Sequence, residues 1–201
     1  AAIGRADAVA GDPHKWLYTP LEPGCVLVRD PQALRDAFSY HPPYYHFGQE
    51  AVNFIDFGPQ NSRGFRALKV WLALQHAGRD GYVQMIGDDI ALSKRLHERV
   101  QQHAELEACT QSLSITTFRH VPAEWRSVVG TPDGEAKLNA HNAALLDRIQ
   151  GSGEAFVSNA VVDGKYVLRA CVVNINTRAS DIDALPEIVV RLGREVQQVA
   201  T

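Results

Sequence analysis

The chain has 201 residues, of which 45% are hydrophobic and 21% charged, and its formal net charge at pH 7 is −3. This composition is typical of a globular protein with one or two domains. The dispersed Lys and Arg residues give no sign of a basic nucleic-acid-binding surface, and no apolar run approaches the ~20 residues that a membrane span requires. Three widely spaced cysteines predict reduced thiols in a cytoplasmic protein.

The first part of the chain predicts two short strands and a short helix. Apolar residues predict strands over 7–11 and 24–29, with a proline-containing turn between them. Asp30 and Pro31 are typical of the N-cap and the first position of a helix. The stretch 39–60 is rich in His, Pro, Tyr and Gly and has no regular period. Loops of this length are often lids or binding loops.

Two helices are predicted next, separated by Gly78. The first covers 63–77, and its segment 70–74 is apolar on nearly every face, which predicts a buried helix. The second runs from about residue 80 to residue 102 with apolar residues along one side. We expect this second helix to link a large domain to a small one.

The remainder predicts a small α+β domain, an arrangement suited to capping a larger α/β body. An amphipathic helix is expected over 133–149, closed by glycine. A last helix either begins at a capping box at Ser180 and kinks at Pro186, or begins near Ala184. Four strands are predicted, over 106–109, 113–119, 155–161 and 166–173.

Lys15 is the first candidate for chemistry. It directly follows the first predicted strand, with Pro13 before it and His14 and Trp16 on either side. Lysine is rarely buried without a partner, and a desolvated lysine has a lowered pKa and can act as an amine nucleophile. A lysine that only marks the end of a strand is the structural alternative.

Histidine spacing raises the question of a metal site. His41 and His46 lie close together among prolines and tyrosines. No third ligand is evident in the sequence, so no metal site is predicted.

Three segments, in chain order, resemble one known family. They are residues 6–17 (ADAVAGDPHKWL), 58–71 (GPQNSRGFRALKVW) and 166–174 (YVLRACVVN). The first resembles the pyridoxal-phosphate lysine segment of the group II amino-acid decarboxylases. The second resembles the loop and long helix beyond that lysine, and the third a strand of the small C-terminal domain. The chain is identified as similar to the aromatic-L-amino-acid decarboxylases of this family.

The resemblance implies an α/β protein of the fold-type-I pyridoxal-phosphate-dependent transferases. Residues 1–85 are then expected to be the C-terminal part of the large cofactor-binding domain, and 86–201 the small α+β C-terminal domain. The resemblance also implies a homodimer with the active site at its interface. It further implies an N-terminal half of the same enzyme that precedes this segment and carries most phosphate contacts. No nucleic-acid or membrane partner is expected.

The resemblance also implies an activity. It is the decarboxylation of an L-amino acid to an amine and carbon dioxide through a Schiff base on Lys15, with pyridoxal 5'-phosphate as the electron sink. An aromatic substrate is slightly favoured, and other amino acids stay open. One alternative is an aldehyde synthase on the same scaffold. Another is a catalytically inert C-terminal fragment that acts only as a folded dimerisation module.

Four further residues are expected near the cofactor. His14 is expected to orient the lysine loop or to donate to the phosphate. Asp12 stands where family members often have Asn, and a carboxylate repels a phosphate, so it would contribute through its backbone amide or cap a turn. Asn61 and Ser62 precede the predicted helix, whose N-terminus attracts anions, although a plain N-cap role is an alternative. In the family this loop reaches towards the neighbouring subunit's cofactor phosphate.

The remaining candidates concern the proton donor and the substrate. Tyr44 aligns without gaps with the catalytic tyrosine of aromatic decarboxylases and is expected to protonate the α-carbon. Phenylalanine there accompanies aldehyde synthesis in the family, so tyrosine favours decarboxylation. Tyr45 is the alternative donor and a candidate substrate contact, and Leu21 is expected to line the pocket. Arg169 interrupts an apolar strand and matches an arginine that contacts the substrate carboxylate in some members, with a structural ion pair as the alternative.

Overall fold

A computed structural model describes residues 3–45 and 52–199 of the chain. The chain divides into two compact units, of which the first ends at Gly78 and the second begins at Arg79. His46, considered above as a metal ligand, lies outside the described residues. In the part of the chain that is described, no helix is both long and apolar enough to span a membrane.

The first unit begins with a two-stranded antiparallel sheet and a short helix. Strand β1, Ala8–Gly11, pairs with β2, Cys25–Val28, and helix α1 spans Pro31–Phe38. The Asp30 carboxylate accepts a hydrogen bond from the Gln32 amide (2.9 Å), which satisfies one of the free amides at the helix start. These three predicted elements are confirmed.

Helix α2 spans Arg66–Gln102 and is interrupted at Gly78, whose φ of 63° and ψ of 178° are non-helical. The predicted break at Gly78 and the end at residue 102 are confirmed. The predicted start at residue 63 is wrong, because the chain turns immediately before the helix. There the Arg66 amide binds the Gly64 carbonyl (2.8 Å) and its guanidinium binds the Glu22 carboxylate (2.6 Å).

Apolar side chains of the first unit lie in contact with solvent. Trp71 is 57% exposed and Leu72 is 51% exposed, so the predicted burial of this helical segment is wrong for the described chain. Strand β1 is also exposed except at Val9, which is half-buried. The physical reason is that no described residue packs over these side chains. Their apolar sequence is nevertheless typical of a surface that is buried against another part of a protein.

The second unit is built on a four-stranded antiparallel sheet with the strand order β3-β4-β6-β5. The four strands predicted from the sequence are all present, with ends that differ by a few residues. A bulge at Cys109 shifts the register between β3 and β4. The strands are β3 Leu106–Ser112, β4 Ile115–His120, β5 Ser158–Val162 and β6 Lys165–Cys171.

The second unit has two helices besides the end of α2, one between β4 and β5 and one after β6. Helix α3, Pro132–Ser152, begins at an N-cap, Thr131, and ends at Gly153, whose φ of 74° is left-handed and suits glycine. Helix α4 spans Ala179–Val199 and continues through Pro186, so the alternative start near residue 184 is wrong.

The hydrophobic core lies in the second unit, where α3 and α4 pack on each other and on the sheet. The part of α2 beyond Gly78 contributes side chains to the same core. Burial of apolar surface is the main force that stabilises such a unit. Its fully buried side chains include Leu96, Val100, Phe118, Leu145, Ile149, Leu168, Val189 and Leu192.

Candidate active site

Lys15 lies in a tight turn directly after β1. Its amide binds the Asp12 carbonyl (2.9 Å), and its own carbonyl accepts from the Tyr18 amide (3.1 Å). His14 Nδ1 lies 2.8 Å from the Pro23 carbonyl. Because a carbonyl can only accept, Nδ1 carries the proton and donates. The turn is therefore held at both ends, and the main-chain carbonyl of Asp12 closes its first part.

The Lys15 ammonium forms an exposed ion pair. Its Nζ lies 2.6 Å from the Asp12 carboxylate, with the two side chains 69% and 44% exposed. The hydrogen bond from Lys15 lowers the pKa of Asp12 below its ordinary value, and the positive charge adds to the effect. The predicted desolvation of Lys15 is wrong for the described chain, because the lysine follows an exposed strand. Its assignment as the cofactor lysine stays a prediction.

Three predicted site residues line one small pocket of the first unit, about 140 Å³ in volume. They are Tyr44, Tyr45 and Asn61. The two tyrosine rings lie 4.9 Å apart at 88°, the edge-to-face arrangement that aromatic rings favour. Tyr44 is 74% exposed, so most of the residue is accessible to solvent. The other lining residues are Phe38, Tyr40, Pro42 and Ile55.

Other predicted residues do not join this pocket. Among the described residues that line it, neither Lys15 nor Leu21 is present. Leu21 is 77% exposed. Because α2 begins at Arg66, Asn61 and Ser62 do not cap it, and their expected place at a helix N-terminus is wrong. A cofactor contact from either residue stays a prediction.

A buried aspartate that was not predicted from the sequence stabilises the loop that carries the pocket. Asp56 Oδ1 lies 2.7 Å from His41 Nε2 and accepts from the Ser39 hydroxyl at 3.1 Å. The hydrogen bond from His41 lowers the pKa of Asp56. Asp56 is only 7% exposed. The signal was present in the sequence, because Asp56 stands between apolar residues in the short 3-10 turn Phe54–Phe57.

Arg169 lies half-buried on β6 in the second unit, opposite Thr117 of β4 and Ser158 of β5. Its Nη1 is 3.5 Å from the Ser158 hydroxyl, which is a weak contact. No carboxylate among the described residues pairs with Arg169, so the ion pair considered as an alternative does not form there. Most donors of its guanidinium therefore have no hydrogen-bond partner among the described residues.

A different arginine forms the buried ion cluster of the second unit. Arg119 of β4 has no exposed surface and donates to Glu107 (2.9 Å) and twice to Glu135 (2.5 and 3.1 Å). Lys165 also donates to Glu107 (2.6 Å). Hydrogen bonds from Arg119 lower the pKa of Glu135 to about 2. This cluster joins β3, β4, β6 and α3, so its role is structural.

Comparison with known proteins identifies the family. Residues 1–120 match the model of the pyridoxal-dependent decarboxylase conserved domain. The chain belongs to this family. The family's cofactor is pyridoxal phosphate, as was expected from the lysine segment.

Similar proteins agree with this assignment. An aromatic-L-amino-acid decarboxylase of Bacillus atrophaeus is 33% identical over 199 residues, which is 96% of this chain and 40% of that protein. A phenylacetaldehyde synthase of a Rosa hybrid cultivar is 31% identical over 175 residues, 85% of this chain and 34% of that protein. The crystal structure of Oryza sativa TDC with PLP and tryptamine superposes with a TM-score of 0.84 at 25% identity, covering 96% of this chain and 40% of that one. The chain thus spans about 40% of the length of such relatives, and the expected fold type I is confirmed.

The residues around Lys15 fit the cofactor in part. An exposed amine held by one exposed carboxylate is accessible to an aldehyde, as the cofactor requires. The Asp12 carboxylate is unsuited to a phosphate, because its lowered pKa keeps it negative. Asp12 therefore fits the role of a partner for the lysine better than that of a phosphate ligand.

Proposed function

We propose that this chain forms the C-terminal part of a pyridoxal-phosphate-dependent decarboxylase that converts an L-amino acid to an amine and carbon dioxide. The observation that carries the proposal is the family match over residues 1–120, which includes Lys15 and its turn. An aromatic amino acid is the favoured substrate. The similarity to an aromatic-L-amino-acid decarboxylase supports this preference.

Lys15 is proposed to hold the cofactor, and pyridoxal phosphate, when bound, supplies the electron sink for the charge left as carbon dioxide departs. The ion pair with Asp12 keeps Nζ near the turn, and such exposed pairs are weak. Releasing the amine from Asp12 therefore costs little. His14, fixed to the Pro23 carbonyl, orients the turn, and its second ring nitrogen is the one left to face a ligand.

Tyr44 is proposed to deliver a proton from its phenol oxygen to the substrate's α-carbon. Its position as an exposed residue that lines a pocket suits this role. Tyr45 is less exposed and packs edge-on against Tyr44, so we assign it to substrate contact from the pocket that both tyrosines line. Leu21 is proposed as a further substrate contact from outside that pocket. Asn61 and Ser62 are proposed to support the cofactor phosphate from the loop before α2.

Arg169 is proposed to bind the substrate carboxylate. The lack of a carboxylate partner among the described residues supports this role, since a guanidinium without an anion binds one readily. In this assignment residues 1–85 belong to the cofactor-binding domain and 86–201 to the small domain.

Two polypeptide partners are proposed for the first unit. They are the N-terminal part that longer relatives carry and a second copy of the enzyme in a homodimer. The exposed apolar side chains of α2, such as Trp71 and Leu72, support both, because large exposed apolar surfaces mark contact sites. A cytoplasmic location is proposed as well, and the free thiols in the described chain support it.

Reduction with borohydride tests the cofactor assignment. The enzyme, assembled with any partner polypeptide, is treated with pyridoxal phosphate and borohydride, and the modified residue is mapped by mass spectrometry. We expect a pyridoxyl group on Lys15, its loss in Lys15→Arg, and its retention in the matched variant Lys69→Arg. A modification elsewhere would overturn the assignment. A chain that carries no pyridoxyl group would support the alternative in which it is a catalytically inert, folded dimerisation module.

Aldehyde synthesis is the second candidate, favoured by the relative named phenylacetaldehyde synthase. The two activities differ in their products. Decarboxylation gives an amine and carbon dioxide, whereas the alternative consumes dioxygen and water and gives an aldehyde, carbon dioxide, ammonia and hydrogen peroxide, with dioxygen as the oxidant. Quantifying amine and peroxide from one incubation decides between them, and peroxide in proportion to carbon dioxide would refute plain decarboxylation.

A further inference from the structure

Two buried histidines of the second unit form a pair that the proposed chemistry does not use. His120 ends β4 and is 0% exposed, and His141 lies in α3 and is 5% exposed. Nδ1 of His120 lies 2.8 Å from Nε2 of His141. Asn142 fixes the backbone at this point, because it accepts from the His120 amide (2.8 Å) and donates to its carbonyl (2.9 Å). The two rings are thus held in a defined geometry.

The surroundings decide where the protons of the neutral pair lie. One proton must lie between the two bonded nitrogens. Nε2 of His120 also makes no hydrogen bond in the described chain, but it lies 3.5 Å from the Glu105 carboxylate, which would repel a lone pair there and favours an N–H. His120 Nδ1 therefore accepts from His141 Nε2. Nδ1 of His141 is then a bare lone pair, and it has no hydrogen-bond partner in the described chain.

Adding one proton to this pair has a single outcome. Three protons then occupy four ring nitrogens, and the bond between the rings still holds one of them. The other two must lie on the outer nitrogens, His120 Nε2 and His141 Nδ1. An N–H at His141 Nδ1 would be a buried donor without an acceptor, on a buried positive charge, and both are costly. The closed pair therefore resists protonation.

The charged neighbours do not remove this cost. Glu105 faces His120 rather than Nδ1 of His141, and its charge is shared with Arg194 of α4, which binds it directly. Other titratable groups near the pair are His103, before β3, and Lys137, on α3. Both are basic, so they offer no compensation to a new positive charge.

Trp125 covers His141 from the short 3-10 turn Ala123–Val128. Its ring meets the imidazole edge-on, with centroids 5.1 Å apart at 77°, and Lys137 lies over the same indole at 3.9 Å. On the other side α4 leaves no room, because a Cβ at Gly193 would lie 2.5 Å from His120 Nδ1. The Trp125 turn is thus the element that can give water access to His141.

We propose that the His120–His141 pair is a pH-sensitive latch, which holds the turn Ala123–Val128 against α3 at neutral pH and releases it on acidification. Burial, with a smaller effect of His120, lowers the pKa of His141 to about 4. In the open form the pKa of His141 is the ordinary histidine value of about 6.5. At a pH between the two pKa values the open form binds a proton that the closed form does not, so lowering the pH favours opening. This inference does not depend on the proposed enzymatic activity.

Amide hydrogen exchange of the full chain, followed by mass spectrometry and corrected for the intrinsic effect of pH, measures the opening. For one proton with these two pKa values, the opening constant in 123–128 should rise about 15-fold from pH 6.5 to pH 5. The His141→Gln side chain can still donate to His120 but does not titrate, so its rise should stay below about twofold. The matched control His76→Gln, at an exposed position of the first unit, should behave like the wild type.

Two results would overturn the latch. One is an opening constant that does not change with pH in the wild type, and the other is the same pH dependence in His141→Gln. If that variant does not fold, nitrogen NMR of the wild-type imidazoles gives the answer. We expect both neutral rings to carry their proton on Nε2 at pH 7. We expect His141 to gain its second proton, on Nδ1, only over the pH range in which amide exchange of residues 123–128 becomes faster. Titration of His141 near 6.5 without faster exchange would refute the proposal.

Discussion

Replacing Arg119 by Met tests how strongly the buried ion cluster stabilises the second unit. Methionine has a similar length but neither charge nor donors. The change leaves two carboxylates, of which Glu107 keeps Lys165 as a partner at 2.6 Å. Glu135 loses both guanidinium bonds and keeps only the amide of Gly130, at 2.9 Å. We expect most of the lost free energy of unfolding to come from Glu135.

The magnitude follows from the pKa of Glu135. A value of about 2 in the folded chain, against about 4.5 when unfolded, corresponds to about 3 kcal/mol at neutral pH. Breaking a buried ion pair from one side costs about 3–5 kcal/mol. Because the Glu135 side chain keeps 21% of its surface exposed, water replaces part of the loss. We therefore expect Arg119→Met to lower the free energy of unfolding by about 3 kcal/mol.

The loss of stability in Arg119→Met should become smaller as the pH falls. The folded pKa is depressed, so the stabilisation is complete above pH 4.5 and is lost as the pH falls towards 2. Urea unfolding followed by circular dichroism at pH 7 and pH 3 should show the difference from wild type shrinking by about 2 kcal/mol. Arg79→Met, at a side chain that is 87% exposed, is the control. A loss below about 1 kcal/mol at pH 7, or a difference independent of pH, would refute the reasoning.

Three further substitutions or reactions test other parts of the chain. Gly193→Ala should lower the free energy of unfolding by about 1–3 kcal/mol in urea, because the new Cβ would overlap the imidazole beside it; an unchanged midpoint would contradict this. An aromatic disulfide reagent should modify Cys25 well before Cys109, whose pKa is raised by burial, and equal rates would argue against that burial. In the assembled enzyme, Tyr44→Phe should slow amine formation by about 100-fold or more, whereas Tyr45→Phe should not, and the reverse result would exchange their roles.

Local signals in the sequence predicted the elements of the second unit well. Helix α3 begins at Thr131, whose side chain caps it, and ends at Gly153, which has a left-handed conformation. Both signals depend only on neighbouring residues. The start of α2 was missed because a turn and a distant ion pair, Arg66 with Glu22, determine it. The continuation of α4 through Pro186 was offered only as a kinked helix, since proline disfavours a helix interior.

The candidate site was predictable in part. Tyr44, Tyr45 and Asn61 were chosen from the sequence and line one pocket. The Asp56 brace was missed because its partners His41 and Ser39 are distant in sequence. Such pairings depend on how the chain folds back on itself, and no local pattern encodes them.

A similar reason explains the two arginines of the sheet. Arg119 lies near the end of β4, whose sequence is ITTFRH, and Arg169 interrupts an apolar strand. The partner of neither arginine can be assigned from the sequence. The fold places Glu107 and Glu135 beside Arg119, and none of the described carboxylates beside Arg169. Which of the two arginines lacks a carboxylate partner among the described residues is therefore known only when the cross-strand neighbours are known.

The difference between the two units shows what an apolar pattern can predict. In α3 and α4 the apolar positions form a core whose members all belong to the second unit. In the first half of α2 an equally apolar segment leaves Trp71 and Leu72 half exposed. The pattern obeys one physical rule in both places, since apolar side chains favour positions away from water. What it predicts is that a surface becomes covered, and not which polypeptide covers it, so the proposed partners of the first unit must be tested by assembly rather than by sequence.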